Sequence, residues 1–81
     1  MKVSFRKAIG MAIRNARVRA GVTSVEIEAS KVISRRGLSS WETGSSPPNV
    51  ERLKKFSEYI GVSLVSIISE AELSQAKGSK K

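Results

Sequence analysis

The sequence predicts an all-α domain of five short helices, and three observations support this prediction. Apolar residues recur at spacings of three and four, which is typical of helices that bury one face. Ser, Thr or Asn stands where each helix would begin, and glycine stands where several would end. The chain has 81 residues, so it is long enough for one core but not for two lobes around a deep cleft.

The first helix is predicted from Ser4 to Arg19 or Ala20. Ser4 can cap its start, and Gly21 can end it because glycine adopts the left-handed conformation without steric cost. The apolar residues that form its buried face are Phe5, Ala8, Ile9, Ala12, Ile13 and Ala16.

The second helix is short, and its register is open. Thr23 followed three residues later by Glu26 is a capping-box pattern, which places the helix start at Thr23. Ile27 points away from the helical face that the other apolar residues share. Those other residues are Val25, Ala29 and Val32.

The third helix is predicted from Ser34 to Thr43. Ser34 is its N-cap, and Leu38 and Trp41, three residues apart, face inward. The Gly-Ser-Ser-Pro-Pro run at residues 44–48 ends the helix and forms a loop.

Two more helices complete the predicted domain. Asn49 caps the fourth helix, which ends at Gly61, and Ser63 begins the fifth. The end of the chain is small, polar and basic, so we expect one domain over residues 1–72 and a flexible tail over residues 73–81. The inward apolar residues of these two helices are Val50, Leu53, Phe56, Ile60, Leu64, Ile67 and Ile68.

The chain is strongly basic, with 15 Lys and Arg against seven Asp and Glu and a formal net charge of +8. The excess is uneven, because residues 1–36 sum to +7, residues 37–76 to −2 and residues 77–81 to +3. Such an excess attracts polyanions, of which phosphate backbones are the most abundant. Charge alone fits anionic lipid or an acidic protein equally well.

The residue types exclude several functional classes. With no Cys and no His, the chain has no disulfide framework, no thiolate metal site and no imidazole base. Glu26 with Glu28, and Glu70 with Glu72, are two residues apart and do not face each other on a helix. There is no glycine-rich phosphate loop either, so the sequence predicts a non-enzyme with no metal and no cofactor.

The sequence also argues against membrane contact and export. The longest apolar stretch, residues 60–68, is far shorter than the ~20 residues that span a bilayer. The apolar segment after the basic start is broken by Arg14 and Arg17 and has no cleavage-site pattern. We therefore expect a soluble cytoplasmic protein.

The order and spacing of one set of residues match a known family. The most specific segment is Ser-x-x-x-Leu-Ser-x-Trp-Glu-x-Gly at residues 34–44, preceded by Gly-Val-Thr at 21–23 and followed by Pro48 and Gly-Val-Ser-Leu at 61–64. Over roughly residues 5–68 the chain resembles the lambda-repressor-like (Cro/CI, XRE-type) helix-turn-helix family. The resemblance implies a five-helix lambda-repressor-like fold whose helices 2 and 3 form the helix-turn-helix unit.

The match departs from the family in helix 2 and in the turn that follows it. Family members usually carry a small residue where Glu28 stands, an apolar one at Lys31 and glycine at Val32. Valine is costly at a position that needs a positive φ. Either the turn therefore has another shape, or helix 2 is shifted by one residue, which would place Ala29 and Val32 inward.

The third helix is the candidate reading helix. Leu38 and Trp41 define its buried side, so its outward positions lie opposite them. An arginine guanidinium can pair with O6 and N7 of guanine, which discriminates bases by about 1–3 kcal/mol. The resemblance implies contacts with bases or adjacent phosphates for Arg35, Arg36, Ser39 and Ser40. From the residues alone, both arginines could equally be solvated surface charges. Gly37 could either let the helix approach a base closely, because it has no Cβ, or be a weak helix residue that the helix tolerates.

Candidate phosphate ligands lie at the start of helix 2 and in the loop after helix 3. Backbone amides and hydroxyls at a helix start can bind a phosphate, and the resemblance implies this use of the first location. The candidates are Thr23, Ser24, Ser45, Ser46 and Asn49. Thr23 caps helix 2 in any case. Ser45, Ser46 and Asn49 could equally be ordinary loop residues.

Arg17 and Glu42 are a candidate structural ion pair. Each lies four residues after a core position, Ile13 or Leu38, and therefore at the edge of a buried face. The resemblance implies that the two side chains meet and join helix 1 to the end of helix 3.

The resemblance and the charge distribution together predict a sequence-specific regulator of transcription that binds double-stranded DNA. We expect a dimeric repressor of phage or bacterial type that reads the major groove of a palindromic operator with helix 3. The candidate dimer interface consists of Leu64, Val65, Ile68 and Leu73.

Two alternatives stay open. One is the antitoxin of a toxin–antitoxin pair, a protein-binding module whose DNA binding is autoregulatory. The other is a restriction-modification controller or activator, for which Glu26 and Glu28 would contact RNA polymerase. These two carboxylates could equally be ordinary solvated side chains.

Overall fold

Residues 4–79 form five α-helices in the computed structural model, which describes this range and its side chains through residue 75. The part of the chain that is described contains no strand, so the predicted all-α class is confirmed. The helices are α1 (Phe5–Ala20), α2 (Ser24–Ala29), α3 (Arg35–Thr43), α4 (Val50–Ile60) and α5 (Leu64–Ser79).

The helices begin and end where the capping residues predict. At the start of each of the first four, a side chain accepts a hydrogen bond from a backbone N–H of the first turn; these residues are Ser4, Thr23, Ser34 and Asn49. The glycines Gly21, Gly44 and Gly61 end α1, α3 and α4 with positive φ. At Gly44 the absence of a side chain also allows close packing, because a Cβ there would lie 3.0 Å from the Cα of Lys7.

The core is built on α1, which packs against both α3 and α5. Trp41 is buried in this core, as predicted, and meets the Phe56 ring edge-on with 6.2 Å between the ring centroids. Ile13, Ile27, Leu38 and Ile67 are likewise almost completely buried.

Two apolar residues that the periodicity places inward are exposed. Phe5 is 40% exposed and Val50 is 73% exposed. Both lie in the first turn of a helix, and both line an open apolar cleft beside Pro47 and Pro48. Helical periodicity predicts the direction of a side chain but not whether another element reaches far enough to cover it.

Helix α1 lies very close to the end of α3 at Gly10, which is buried. A Cβ on Gly10 would collide with the carbonyl oxygen of Trp41 and would lie 2.9 Å from that of Glu42. The two helices can therefore pack at this distance only because residue 10 has no side chain.

The inward face of α2 differs from the face that three apolar residues share. Ile27 is completely buried, whereas Val25 is 58% exposed and Ala29 is also exposed. The helix has only six residues, so the packing of one large side chain decides its orientation. Ile27 fills the core position, and a shift that would place Ala29 inward does not occur.

The turn between α2 and α3 differs from the one that the resemblance implies, because its positive φ falls on another residue. Lys31 has φ 66°, and it is the only non-glycine residue with positive φ among residues 4–79. Val32, where the resemblance places the special position, is half-buried and packs against the core. Ser30 holds the turn, since its hydroxyl donates to the carbonyl of Ile27 (2.6 Å) and accepts from the N–H of Val32 (3.3 Å).

We predict that Lys31→Gly stabilises the protein. A left-handed conformation costs a non-glycine residue about 1–2 kcal/mol, while glycine loses about 0.5–1 kcal/mol more backbone entropy on folding than alanine does. The net gain of about 0.5–1 kcal/mol should raise the melting temperature by roughly 4 °C. Val32→Gly is the matched control and should lower the melting temperature, because it removes a half-buried side chain. A lower melting temperature for Lys31→Gly would contradict the assigned turn.

Helix α5 is fastened to α1 by polar contacts as well as by its apolar face. Glu70 accepts hydrogen bonds from the Asn15 amide at 2.9 Å and from the Arg19 guanidinium at 2.7 Å. The Asn15 bond and then the Arg19 bond and charge lower the pKa of Glu70 against the opposing effect of partial burial.

Helix α5 continues to Ser79, past the predicted end of the domain at residue 72. The division into a domain over residues 1–72 and a flexible tail over residues 73–81 stays a prediction. Residues 80–81 of that tail lie outside the described residues. None of the helices in the described range has the length and apolar character needed to cross a bilayer.

Candidate nucleic-acid interface

Helix α3 presents a polar face on the side opposite its buried residues. Leu38 and Trp41 are 1% and 5% exposed, and they hold the helix against the core. Of the four predicted base-contacting residues, Arg36, Ser39 and Ser40 lie on the other side of the helix, and Arg35 lies on its flank in the first turn. Arg35, Arg36 and Ser39 are exposed and Ser40 is half-buried.

The packing around Gly37 explains why a glycine stands at this position in α3. A Cβ on Gly37 would lie 2.8 Å from Cγ1 and 2.9 Å from Cδ1 of Ile33, which is buried in the core. It would also lie 3.3 Å from the Ser34 hydroxyl that caps the helix. Gly37 therefore makes room for the residues that enter α3, and neither clearance for DNA nor mere tolerance is needed to account for it.

Arg35 is held by a carboxylate from α2. Its Nε lies 3.4 Å from Oε1 of Glu28, and its backbone N–H donates to Oε2 of the same side chain at 3.4 Å. Arg35 and Glu28 are 58% and 50% exposed, so the pair lies at the surface, where α2 meets the first turn of α3.

The start of α2 is occupied by its own capping box. The Thr23 hydroxyl accepts from the N–H of Glu26 at 3.1 Å, and the N–H of Thr23 donates to Glu26 Oε1 at 2.8 Å. The same Oε1 lies 3.3 Å from the Thr23 hydroxyl. These contacts engage the donors of Thr23 within the fold, so Ser24 is the better placed of the two candidate phosphate ligands.

The loop after α3 uses its backbone to close the helix. The N–H groups of Ser45 and Ser46 both donate to the carbonyl of Ser40, at 2.9 and 3.3 Å. The Ser45 hydroxyl lies 2.9 Å from that of Thr43. Asn49 Oδ1 accepts from the N–H of Arg52, which leaves its amide nitrogen as the group that could donate to a phosphate.

A polar cleft between the α2–α3 turn and the start of α4 brings together basic residues that the sequence did not indicate as a group. Lys31, Arg52 and Lys55 line it together with Val32, Asn49 and Glu51. Arg52 Nη1 donates to the carbonyl of Val32 at 3.3 Å and so ties α4 to the turn. Their charges are visible in the sequence, but their convergence depends on the shape of the turn.

Arg17 connects three parts of the domain. Its Nε and Nη2 donate to the two carboxylate oxygens of Glu42 at 2.8 and 3.4 Å, and its Nη1 donates to the carbonyl of Val22 at 3.0 Å. Both charged side chains are 14% exposed. The contacts link the end of α1, the entry to α2 and the end of α3, and thereby fix how the exposed face of α3 is presented.

Comparison with known proteins agrees with this arrangement. The model of the HTH_3 helix-turn-helix family matches residues 13–67, which include α2, the turn, α3 and α4. The chain belongs to the helix-turn-helix family. This is the Cro/CI or XRE type that the motif at residues 34–44 resembles, and the match confirms the predicted fold class.

Two crystal structures resemble this helix-turn-helix protein over nearly its whole length. Both are of the clp gene regulator ClgR from Corynebacterium glutamicum, and each is 29% identical in sequence. One covers 93% of this chain and 96% of its own with a TM-score of 0.85, and the other covers 98% and 84% with a TM-score of 0.89. No curated protein sequence matches the chain.

The family assignment establishes the general function of this helix-turn-helix protein. The family consists of DNA-binding regulators of transcription, and the chain is a member of that class and not an enzyme. Helices α2 and α3 with the intervening turn are its helix-turn-helix unit, so α3 is the helix that the family places at DNA.

The remaining predicted contacts stay predictions, and the structure limits which side chains are available for them. Of the four candidate dimer residues, Val65 and Leu73 are exposed, whereas Leu64 and Ile68 pack partly against the core. The carboxylates predicted to contact RNA polymerase already have partners within the protein, namely Thr23 for Glu26 and Arg35 for Glu28.

Proposed function

We propose that this helix-turn-helix protein is a sequence-specific transcriptional repressor that binds an operator as a homodimer. The observation that carries the proposal is the outward face of α3, where Arg35 and Arg36 extend from the first turn of a helix fixed by Leu38 and Trp41. A rigid helix with exposed guanidinium groups suits base reading in the major groove.

Specificity of this kind requires a second copy of the protein. One helix-turn-helix unit reads few base pairs, so useful discrimination normally comes from a symmetric dimer on half-sites about 34 Å apart. Val65 and Leu73 are 73% and 67% exposed on α5, and we propose that they form the centre of the dimer interface. Analytical ultracentrifugation should show a dimer on operator DNA, and a monomer both free and bound would contradict this part.

Repression follows from operator occupancy alone, which blocks access of the polymerase and needs no further contact surface. The engagement of Glu26 and Glu28 within the fold supports this choice over activation. Such a regulator acts in the cytoplasm, where bacterial or phage DNA is transcribed. The antitoxin alternative predicts a stoichiometric protein partner that purifies with the chain.

Selection of bound sites from random DNA duplexes tests the proposal. The wild-type protein should enrich a sequence repeated in two half-sites, and Arg36→Ala should lose preference at one base pair in each half-site. Affinity should fall steeply with salt concentration, because phosphate contacts release counterions.

Lys54→Ala is the matched control for loss of one positive charge. Lys54 is exposed on α4, where it pairs with Glu58, outside the helix-turn-helix unit. This variant should keep the full site preference. Failure of the wild-type protein to enrich any repeated sequence would overturn the proposed function.

A further inference from the structure

We propose that Glu28 is a positioning residue for Arg35 and thereby sets the base preference at the base pair that Arg35 contacts. This inference rests on the proposed function, since it assigns a role to one contact within the same DNA-reading surface.

The geometry of the contact carries the proposal. One carboxylate meets both the side chain and the backbone of Arg35: Oε2 accepts from the backbone N–H at 3.4 Å, and Oε1 forms an ion pair with Nε at 3.4 Å. The Nε contact restrains the long arginine side chain against α2. It leaves the two Nη groups of the guanidinium, which are the donors that can pair with O6 and N7 of a guanine.

The charge distribution of α3 supports the same role. Its first turn contains Arg35 and Arg36 and no acidic residue, although a helix start favours negative charge. The Glu28 carboxylate supplies that negative charge from the neighbouring helix. A carboxylate beside the reading arginine also repels phosphate, so it disfavours contacts of Arg35 with the DNA backbone and favours contacts with bases.

The exposure of the pair allows this role to be separated from a role in stability. Arg35 and Glu28 are both at least half exposed, and ion pairs at such positions contribute little to folding. Alanine is also the residue best suited to a helix. Glu28→Ala should therefore fold with a melting temperature close to that of the wild type, and any change in base preference reflects the placement of Arg35.

The test uses the selected operator and variants of it with single base-pair changes. The base pair that Arg35 contacts is the one at which Arg35→Ala loses preference. There, the wild-type protein should discriminate by between about fivefold and 150-fold, the range typical of a bidentate arginine contact. Glu28→Ala should reduce this ratio by about twofold to fivefold while it raises affinity for unrelated DNA. Glu28→Gln should fall between the two, because its carbonyl can still accept from the backbone N–H of Arg35 but carries no charge.

Two further variants make the outcome decisive. Glu58→Ala removes the same charge from α4 and should raise affinity for unrelated DNA no more than slightly, with all base preferences intact. In the Arg35→Ala background, Glu28→Ala should leave the ratio of affinities for the operator and for unrelated DNA unchanged, because the residue acts only through Arg35. An unchanged ratio at this base pair in Glu28→Ala, or a further loss of the operator-to-unrelated ratio in the Arg35→Ala background, would overturn the inference. If the wild type selected no site at all, the proposed function itself would fail.

Discussion

Replacing Gly10 with alanine is expected to lower the free energy of unfolding by about 3 kcal/mol, at the upper end of what an overpacked core position costs. The expected fall in melting temperature is roughly 12–24 °C for a domain of this size. The added Cβ would meet the carbonyl oxygens of Trp41 and Glu42. These are main-chain atoms, so α1 and α3 would have to separate along their whole contact.

Gly61→Ala is the control that distinguishes crowding from a general effect of the substitution. Gly61 has φ 77°, and a Cβ there would have no atom within 4 Å. Its replacement should cost only the left-handed conformation, about 1–2 kcal/mol. In a helix without neighbours, Gly10→Ala would stabilise by about 1 kcal/mol. A Gly10→Ala protein that melts at or above the wild-type temperature would show that α1 and α3 do not meet as described.

Glu42→Ala is expected to have the largest effect of the charge removals, about 3–5 kcal/mol of destabilisation. The reason is that Arg17, which is only 14% exposed in the native protein, would lose its main partner. The bond from Arg17 to the carbonyl of Val22 would persist, but it does not neutralise the charge. Thermal or urea unfolding measures the loss.

An exposed pair and a double replacement serve as controls for this second prediction. Glu58→Ala removes the partner of Lys54 on the surface of α4, and its effect should stay within about 1 kcal/mol. Replacing both Arg17 and Glu42 with leucine should restore much of the stability, since it removes both partly buried charges. If the Glu42→Ala and Glu58→Ala proteins had the same melting temperature, the role assigned to the Arg17–Glu42 pair would be wrong.

Much of the fold follows from local signals. The helix boundaries depend on Ser4, Thr23, Ser34 and Asn49, which cap within their own first turn, and on the terminal glycines. The orientation of α2 does not, because fewer than two turns of helix contain too few positions for a periodicity. Burial of Ile27 and the positive φ of Lys31 are decided by the neighbouring helices and not by their own sequence.

Gly10 shows where sequence reasoning had a signal and did not use it. A glycine in the middle of a helix costs about 0.5–1 kcal/mol relative to alanine, so its presence there indicates a close approach. The partner in that approach, the carbonyl of Trp41, is 31 residues away in the chain (41 − 10) and is evident only from the packing of α1 on α3.

The candidate interface also has features that the sequence predicts and features that it does not. The outward face of α3 is predictable, because Leu38 and Trp41 define the inside of one helix. The contact of Glu28 with Arg35 and the convergence of Lys31 with Arg52 are not, because each joins two elements whose relative position depends on the turn. Local spacing predicts faces of single helices, and tertiary structure determines what is brought beside them.

The most direct test of base reading by α3 is the ratio of affinities for the selected operator and for a scrambled duplex of equal length and composition, measured at one salt concentration. A sequence-specific regulator should bind its operator at least about 10³-fold more tightly than the scrambled duplex. Arg35→Ala and Arg36→Ala should each reduce that ratio and leave the melting temperature of the free protein unchanged. A ratio near one for the wild-type protein, with binding to both duplexes equally sensitive to salt, would contradict base reading by α3.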